Sequence, residues 1–167
     1  MGKSSLTYRF LKYDLPEGHD VTIEDRYKID TIIDKKPFTV EILDTAGEED
    51  YQGMMDMWIN FGQGFLLVLA INDKNSFDLI KSKRDRVLKG KHEENIPMVL
   101  VGNKQDLSKD REVSYDEAKS LADSWNIDYI ETSAKTNFNC KEAFEKLALK
   151  IEASRIRKKP CCPCLIY

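Results

Sequence analysis

The 167-residue chain has no apolar run long enough to cross a bilayer as a helix: its longest, Phe65 to Ile71, has seven residues, against the ~20 such a span needs. It also lacks an apolar secretory stretch at the start, where Met1-Gly2-Lys3-Ser4-Ser5-Leu6 stands, and this predicts a protein held in the reducing cytosol. Cysteine is nearly absent from the body, since three of the four lie within the last seven residues and only Cys140 lies elsewhere. A disulfide framework is thereby excluded. There is no excess of positive charge, with 26 basic against 29 acidic residues and a net charge of −3, so wholesale nucleic-acid binding is disfavoured. No internal repeat or low-complexity stretch interrupts residues 1–154. What is present, 41% hydrophobic and 33% charged residues, is the balance of one globular domain with a single core.

The periodicity of that body alternates. Leu6, Phe10 and Leu11 have helical spacing, and Asp14-Leu15-Pro16-Glu17-Gly18 breaks the segment into an exposed loop over residues 14–22. Tyr27–Ile33 and Phe38–Leu43 are rich in β-branched and aromatic residues around Asp34-Lys35-Lys36-Pro37, which predicts an antiparallel hairpin. Three buried-looking strands follow, Phe65–Ile71, Met98–Gly102 and Asp128–Glu131, separated by helical patterns near 76–92 and 114–125. A last helix over about 138–154 aligns Ala143, Phe144, Leu147 and Ile151 on one face. The fold class is therefore α/β, with helices covering a mostly parallel sheet.

Several short motifs carry chemistry. Gly2-Lys3-Ser4-Ser5 leads into the first helix and is the tail of a G-x-x-x-x-G-K-[ST] phosphate loop, in which backbone N–H groups and a helix N-terminus surround phosphates. An ordinary serine-capped helix start has the same pattern. Asp44-Thr45-Ala46-Gly47 follows a strand, so its carboxylate can reach a metal through water while Gly47 admits a close backbone approach to phosphate; an Asx turn is the plainer reading. Asn103-Lys104-Gln105-Asp106 follows another apolar strand. The Asp106 carboxylate can accept both the ring N–H and the exocyclic amine of guanine, a donor pair that adenine lacks. Ser133-Ala134-Lys135 follows a further strand, where a backbone N–H can donate to the guanine oxygen. All four motifs stand at strand ends, where open α/β sheets bind their ligands. A P-loop kinase or ATPase shares Gly-Lys-Ser but gives no reason for the last two.

With these motifs in this order, the chain resembles a Ras-family small GTPase, close to the Ras and Rap branch, over residues 2 to about 154. Asp20-Val21-Thr22-Ile23-Glu24-Asp25-Arg26-Tyr27 resembles the effector segment, Asp44-Thr45-Ala46-Gly47 the second switch, and Asn103 to Asp106 with Glu131 to Lys135 the guanine-reading loops. The resemblance implies a GTP/GDP switch in which Ser4 and Thr22 ligate Mg²⁺ and Asp44 does so through water. Lys3 and Gly47 hold the β/γ phosphates, Gly2 and Ser5 complete the phosphate contacts, and Asn103, Lys104, Asp106, Ser133, Ala134 and Lys135 hold the base. Hydrolysis then relaxes the two loops held by Thr22 and Gly47. Partners implied are an exchange factor, a GTPase-activating protein, and effectors that pair with the strand edge at Ile23 to Tyr27. A monomer is expected.

The sequence departs from the family pattern in four ways. The first strand and the Gly-rich front of the phosphate loop are not in this sequence, which implies two neighbouring sheet edges without a backbone partner. It also implies fewer charge-assisted N–H donors to phosphate, each worth about 1.5–3 kcal/mol. An incomplete or alternatively started product of an ordinary GTPase is expected, and a nucleotide-deficient binding module of the same fold is the alternative. Glu48 replaces the Gln that orients the attacking water, an acceptor that also adds repulsion near phosphate. Leu15 replaces a Phe beside the guanine, leaving Lys104 to cover the other face, and His19 replaces a Tyr, most simply as an exposed loop histidine.

The end of the chain, residues 155–167, is a separate segment. A basic run, Arg155-Ile156-Arg157-Lys158-Lys159, precedes Cys161-Cys162-Pro163-Cys164-Leu165-Ile166-Tyr167, which has C-a-a-X form with an atypical final Tyr. A prenyl group on Cys164, palmitoylation at Cys161 or Cys162, and the basic residues facing anionic lipid would together anchor the protein to the cytoplasmic face of the plasma membrane or an endomembrane. The three cysteines are too close together to close a tetrahedral metal site. N-myristoylation at Gly2 is rejected because Leu6 stands where Ser or Thr is needed.

Overall fold

The computed structural model describes residues 2–15, 24–45, 52–93 and 95–158. Helix α1 (Lys3–Phe10) starts after Gly2, whose φ of 79° is left-handed, and buries Leu6 and Phe10 one turn apart. Strands β1 (Glu24–Ile33) and β2 (Lys36–Thr45) form the expected hairpin, with register running from Glu24↔Thr45 to Ile33↔Lys36. Each strand is longer than the β-branched runs alone indicate. The loop is two residues, Asp34 and Lys35, at φ 48° and 62°, the doubly positive geometry that matches strand twist in a tight hairpin.

Helix α2 (Gln52–Phe61) has no counterpart in the sequence pattern. It is followed by β3 (Phe65–Ala70), α3 (Lys74–Lys91), β4 (Met98–Asn103), a 3-10 turn over Gln105–Asp110, α4 (Tyr115–Ser124), β5 (Asp128–Glu131) and α5 (Cys140–Lys158). Among the described residues, two helix starts have side-chain caps: Asp73 accepts from the Ser76 N–H at 3.1 Å and Ser114 from the Glu117 N–H at 3.1 Å. α5 runs through Lys158, so residues 155–158, read from sequence as the start of the tail, continue the helix.

β3, β4 and β5 pair in parallel in that order. These three strands with their flanking helices are the expected α/β arrangement of helices on a parallel sheet. Among the described residues β2 pairs only with β1 and β3 only with β4, so the hairpin is a sheet of its own.

β4 is buried along its whole length, as a central parallel strand must be. Its alternate residues serve two cores. Met98 and Leu100 join Leu69, Ile80, Val113 and Ala118 on the α3/α4 side. Val99 and Val101 join Leu6, Phe10, Ile130, Phe144 and Leu147 on the α1/α5 side, where the Phe10 and Phe144 rings stack at 4.5 Å. Tyr27, Ile29, Val40 and Ile42 of the hairpin pack onto this second core. The hairpin is thus tied to the domain by side chains rather than by a shared ladder. Both cores end at the C-terminal edge of the parallel sheet, and α1 presents its N-terminus there.

Candidate functional site

Asn103, the last residue of β4, organises that edge. It is 2% exposed, and its Oδ1 accepts from the Thr132 hydroxyl at 3.2 Å and the Ala134 N–H at 3.3 Å. On its other side lies Gly2: a Cβ there would come within 2.7 Å of Asn103 Nδ2. Glycine at position 2 is therefore required twice over, for the left-handed φ and for the close approach of the α1 start to β4. One buried amide connects the start of α1 with the loop after β5.

The two expected base-reading loops meet. The Ser133 hydroxyl donates to Asp106 Oδ1 at 2.5 Å and accepts from the Thr136 N–H at 3.1 Å. The Gln105 N–H donates to the Thr132 carbonyl at 3.0 Å. Lys104 adopts a left-handed φ of 67° at the start of the 3-10 turn. The loop after β5 is closed by reciprocal Ser133 and Phe138 backbone bonds, both 3.0 Å. Its base is fixed by Arg111, which donates to both Glu131 oxygens at 2.7 and 2.9 Å, with the Tyr129 hydroxyl donating to the same carboxylate at 2.9 Å. Cys140, assigned from sequence to packing, is fully buried with its Sγ 3.2 Å from the Ser133 carbonyl.

Lys3, Ser4 and Asp44 form the second half of the site. The first intrahelical bond of α1 is Leu6 N–H to the Gly2 carbonyl, at 3.2 Å, so the N–H groups of Lys3, Ser4 and Ser5 precede the helical ladder and carry the positive end of its dipole. The Ser4 hydroxyl is hydrogen-bonded to Asp44. Burial pushes the Asp44 carboxyl up, against the Ser4 bond and the Lys3 ammonium, and Asp25 across the hairpin adds to the rise. Burial likewise pulls Lys3 down, with Asp44 opposing. Lys83 on α3 is lowered by burial and then by the Lys3 charge, so a second cation lies within electrostatic reach of the same place.

An acid held up and an amine held down are groups whose ionised forms lack solvation, and added charges of opposite sign relieve both. A phosphate beside Lys3 and a divalent cation beside Ser4 and Asp44 have this effect. Among the described residues no three His, Cys, Asp or Glu side chains gather into a metal cage. Two oxygen ligands suit Mg²⁺ bound mainly through waters and phosphate oxygens, not a cation held wholly by protein.

The expected effector strand is in place but differently committed. Asp25 and Arg26 are exposed on β1, whereas Tyr27 turns into the second core. Glu24 is not displayed freely: it accepts from the Trp58 indole N–H of α2 at 2.7 Å and from Arg26 Nε at 2.7 Å, and the Arg26 guanidinium stacks 5.4 Å from the Phe61 ring centre. Thr22, Gly47, Glu48, Asp20 and Ile23, with Cys161, Cys162 and Cys164, lie outside the described residues.

Sequence reading missed Arg9, Trp58 and Lys83. Arg9 Nε donates to the Ala134 carbonyl at 2.7 Å and Nη2 to the Lys135 carbonyl at 3.3 Å. Its partners are 125 and 126 positions away, and no local pattern signals such a bond. Trp58 is 4% exposed on a helix that the periodicity did not reveal.

The arrangement joins a helix N-terminus with a lysine, a hydroxyl–carboxylate pair, and an oriented carboxylate facing a turn at the end of the next strand. A family model described as the Ras family matches residues 1–153. The chain belongs to the Ras family, small GTPases that work as switches and bind GTP or GDP, typically with Mg²⁺.

Proposed function

We propose that this chain is a membrane-anchored guanine-nucleotide switch in signal transduction, with its base recognised by Asp106 and the Ser133–Lys135 turn and its phosphates by the α1 N-terminus. The single observation that carries this reading is the Asn103 junction, which holds Gly2, Thr132 and Ala134 together at one sheet edge. In the reading, Asp106 accepts from the guanine ring N–H and amine, and Ser133 keeps its carboxylate turned toward the base. Lys3 neutralises the β and γ phosphates, while Ser5 meets the α phosphate. Ser4 and Thr22 would supply Mg²⁺ ligands, with Asp44 acting through water, and the ion would supply positive charge against the phosphates.

Thr22 and Gly47 sense the γ phosphate and Glu48 positions the attacking water. Loss of the phosphate frees the segments before β1 and after β2. Effectors with a basic edge strand then lose their docking site at Asp20 and Ile23 to Tyr27. A lipid on Cys164, helped by Cys161 or Cys162 and by the basic residues at the end of α5, places the switch on an anionic membrane face, where exchange factors and GTPase-activating proteins reach it.

The test is calorimetric titration of GDP, ADP and a non-hydrolysable GTP analogue, with Mg²⁺, into the 167-residue chain. Sub-micromolar binding of the guanine nucleotides with weak ADP binding is expected. A folded chain, checked by circular dichroism, that binds none of them favours a nucleotide-deficient module instead. For the anchor, intact-mass measurement of the protein from eukaryotic cells should show a lipid adduct that Cys164→Ser removes.

A further inference from the structure

Arg9 lies in the last turn of α1, away from the Lys3 end, yet its guanidinium donates to two successive carbonyls, Ala134 at 2.7 Å and Lys135 at 3.3 Å. The position of α1 is already set by apolar packing of Leu6, Phe10 and Leu11, so this bond is not needed to dock the helix. What it fixes is the orientation of two peptide planes. In a trans peptide the N–H points opposite to the carbonyl, so taking the Ala134 carbonyl from the α1 side turns the Lys135 N–H away from α1. The next plane is held from both sides, its carbonyl by Arg9 and its Thr136 N–H by the Ser133 hydroxyl at 3.1 Å. That same hydroxyl positions Asp106 at 2.5 Å. Among the described residues no protein group accepts from the Lys135 N–H. A cationic donor on the carbonyl also polarises the peptide and strengthens its N–H as a donor.

We propose that Arg9 is a positioning residue for base specificity: it aims and polarises the 134–135 peptide so that the Lys135 N–H is presented to a carbonyl oxygen on the base, complementing Asp106 on the opposite donor pair. The inference rests on the nucleotide reading above and deepens it. Arg9 touches neither base nor phosphate; it acts through the turn. It makes the helix that carries Lys3 and Ser4 and the turn that reads the base a single unit.

Two diphosphates separate a positioning role from a structural one. GDP has the 6-oxo group, and 2-aminopurine riboside diphosphate lacks it, and with it the ring N–H, while keeping the amine and the phosphates. Affinities of both, with Mg²⁺, are measured for the 167-residue wild type, Arg9→Ala and Arg9→Lys. Arg9→Ala is expected to weaken GDP about tenfold, the worth of one charge-assisted hydrogen bond, and to change 2-aminopurine diphosphate affinity less than twofold. Arg9→Lys, which keeps one cationic donor, recovers part of the GDP loss. Should Arg9→Ala fail to fold, the lysine variant decides by the same ratio. Equal losses for both ligands, or no loss for either, overturn the inference. Wild-type protein that is folded but binds neither ligand overturns the nucleotide reading and this inference together, whereas wild-type GDP binding with an unchanged ratio overturns only the role of Arg9.

Discussion

Replacing Asn103 by alanine removes the acceptor of two buried hydrogen bonds, and its cost can be worked from the surroundings. The Thr132 hydroxyl, at 3.2 Å, belongs to a fully buried residue, and the Ala134 N–H, at 3.3 Å, lies in a residue only 5% exposed. Each donor left without a partner costs about 1–3 kcal/mol, and bonds this long belong in the lower half of that range. The expected loss is about 2–4 kcal/mol, a large share of the ~5–15 kcal/mol that holds an ordinary domain together. For a chain of this size that corresponds to a fall of roughly 5–15 °C in Tm. Urea unfolding followed by circular dichroism should show a lower midpoint with an unchanged slope. Thr132→Val is the companion variant, removing one donor while Ala134 still serves the amide, and it should cost about 1 kcal/mol. Because Thr132→Val removes part of what Asn103→Ala exposes, the double variant should lose less than the sum of the two. A loss below ~1 kcal/mol for Asn103→Ala, or strict additivity in the cycle, would refute the claim that this amide organises the site.

Two further outcomes follow from other groups. The Glu24 carboxyl is held below its ordinary value by the Trp58 indole N–H and then by Arg26; the stabilisation is complete above the unfolded-state pKa of about 4.3 and disappears as pH falls through the lower folded value. Trp58 emission, measured in a Trp125→Phe background, should be flat from neutral pH to about pH 5 and change only in stronger acid. Glu24→Gln should abolish that acid step, and a midpoint above about 4.3 contradicts a carboxyl held down by the Trp58 bond. Burial pushes the Cys140 thiol up to about 11, so iodoacetamide at neutral pH should leave the Cys140 peptide unmodified in folded protein and label it in urea. Prompt labelling of that peptide without denaturant, read by mass spectrometry, would contradict the burial of the Cys140 side chain beneath the Ser133 turn.

Much of the fold was legible because its signals are local. The unbroken apolar run Met98 to Val101, the helical spacing of Ala143, Phe144 and Leu147, and the turn chemistry at Asp34-Lys35 each decide their own element. The meeting of the Asn103–Asp106 and Ser133–Lys135 loops draws on the same kind of signal, two short motifs at strand ends. α2 was not: Gln52 to Phe61 has Gly53 in its first turn and carries Met57 and Phe61 on its exposed side, so no clean apolar stripe marks it. The split into two sheets is not encoded in any periodicity, and came only through the resemblance, which leaves two sheet edges without a partner. Arg9 escaped because its partners are backbone carbonyls, which have no identity in a sequence.

That split divides the site into halves of unequal rigidity. Asn103, Asp106 and Ser133 stand on or beside a three-stranded parallel sheet with helices packed against it and two buried cores. Asp44 stands on a two-stranded hairpin, a unit only marginally stable by itself, held through Tyr27, Ile29, Val40 and Ile42 and through the Ser4 and Lys3 side chains. Regions that move with ligand are drawn from the less stable end of a structure. On the proposed reading, the base-reading groups would thus stay in place, while Asp44, on the phosphate side, is attached by contacts that can be exchanged. On Asp44 the exchange has a direction. Its carboxyl is raised by burial and by Asp25 and is supported by Ser4 and Lys3, so on the proposed reading a cation arriving there would relieve a carboxylate that solvent does not reach. Asp44 faces Asp25 across the ladder, so that cation would sit beside β1, the strand that carries Glu24 and Arg26 toward Trp58 and Phe61.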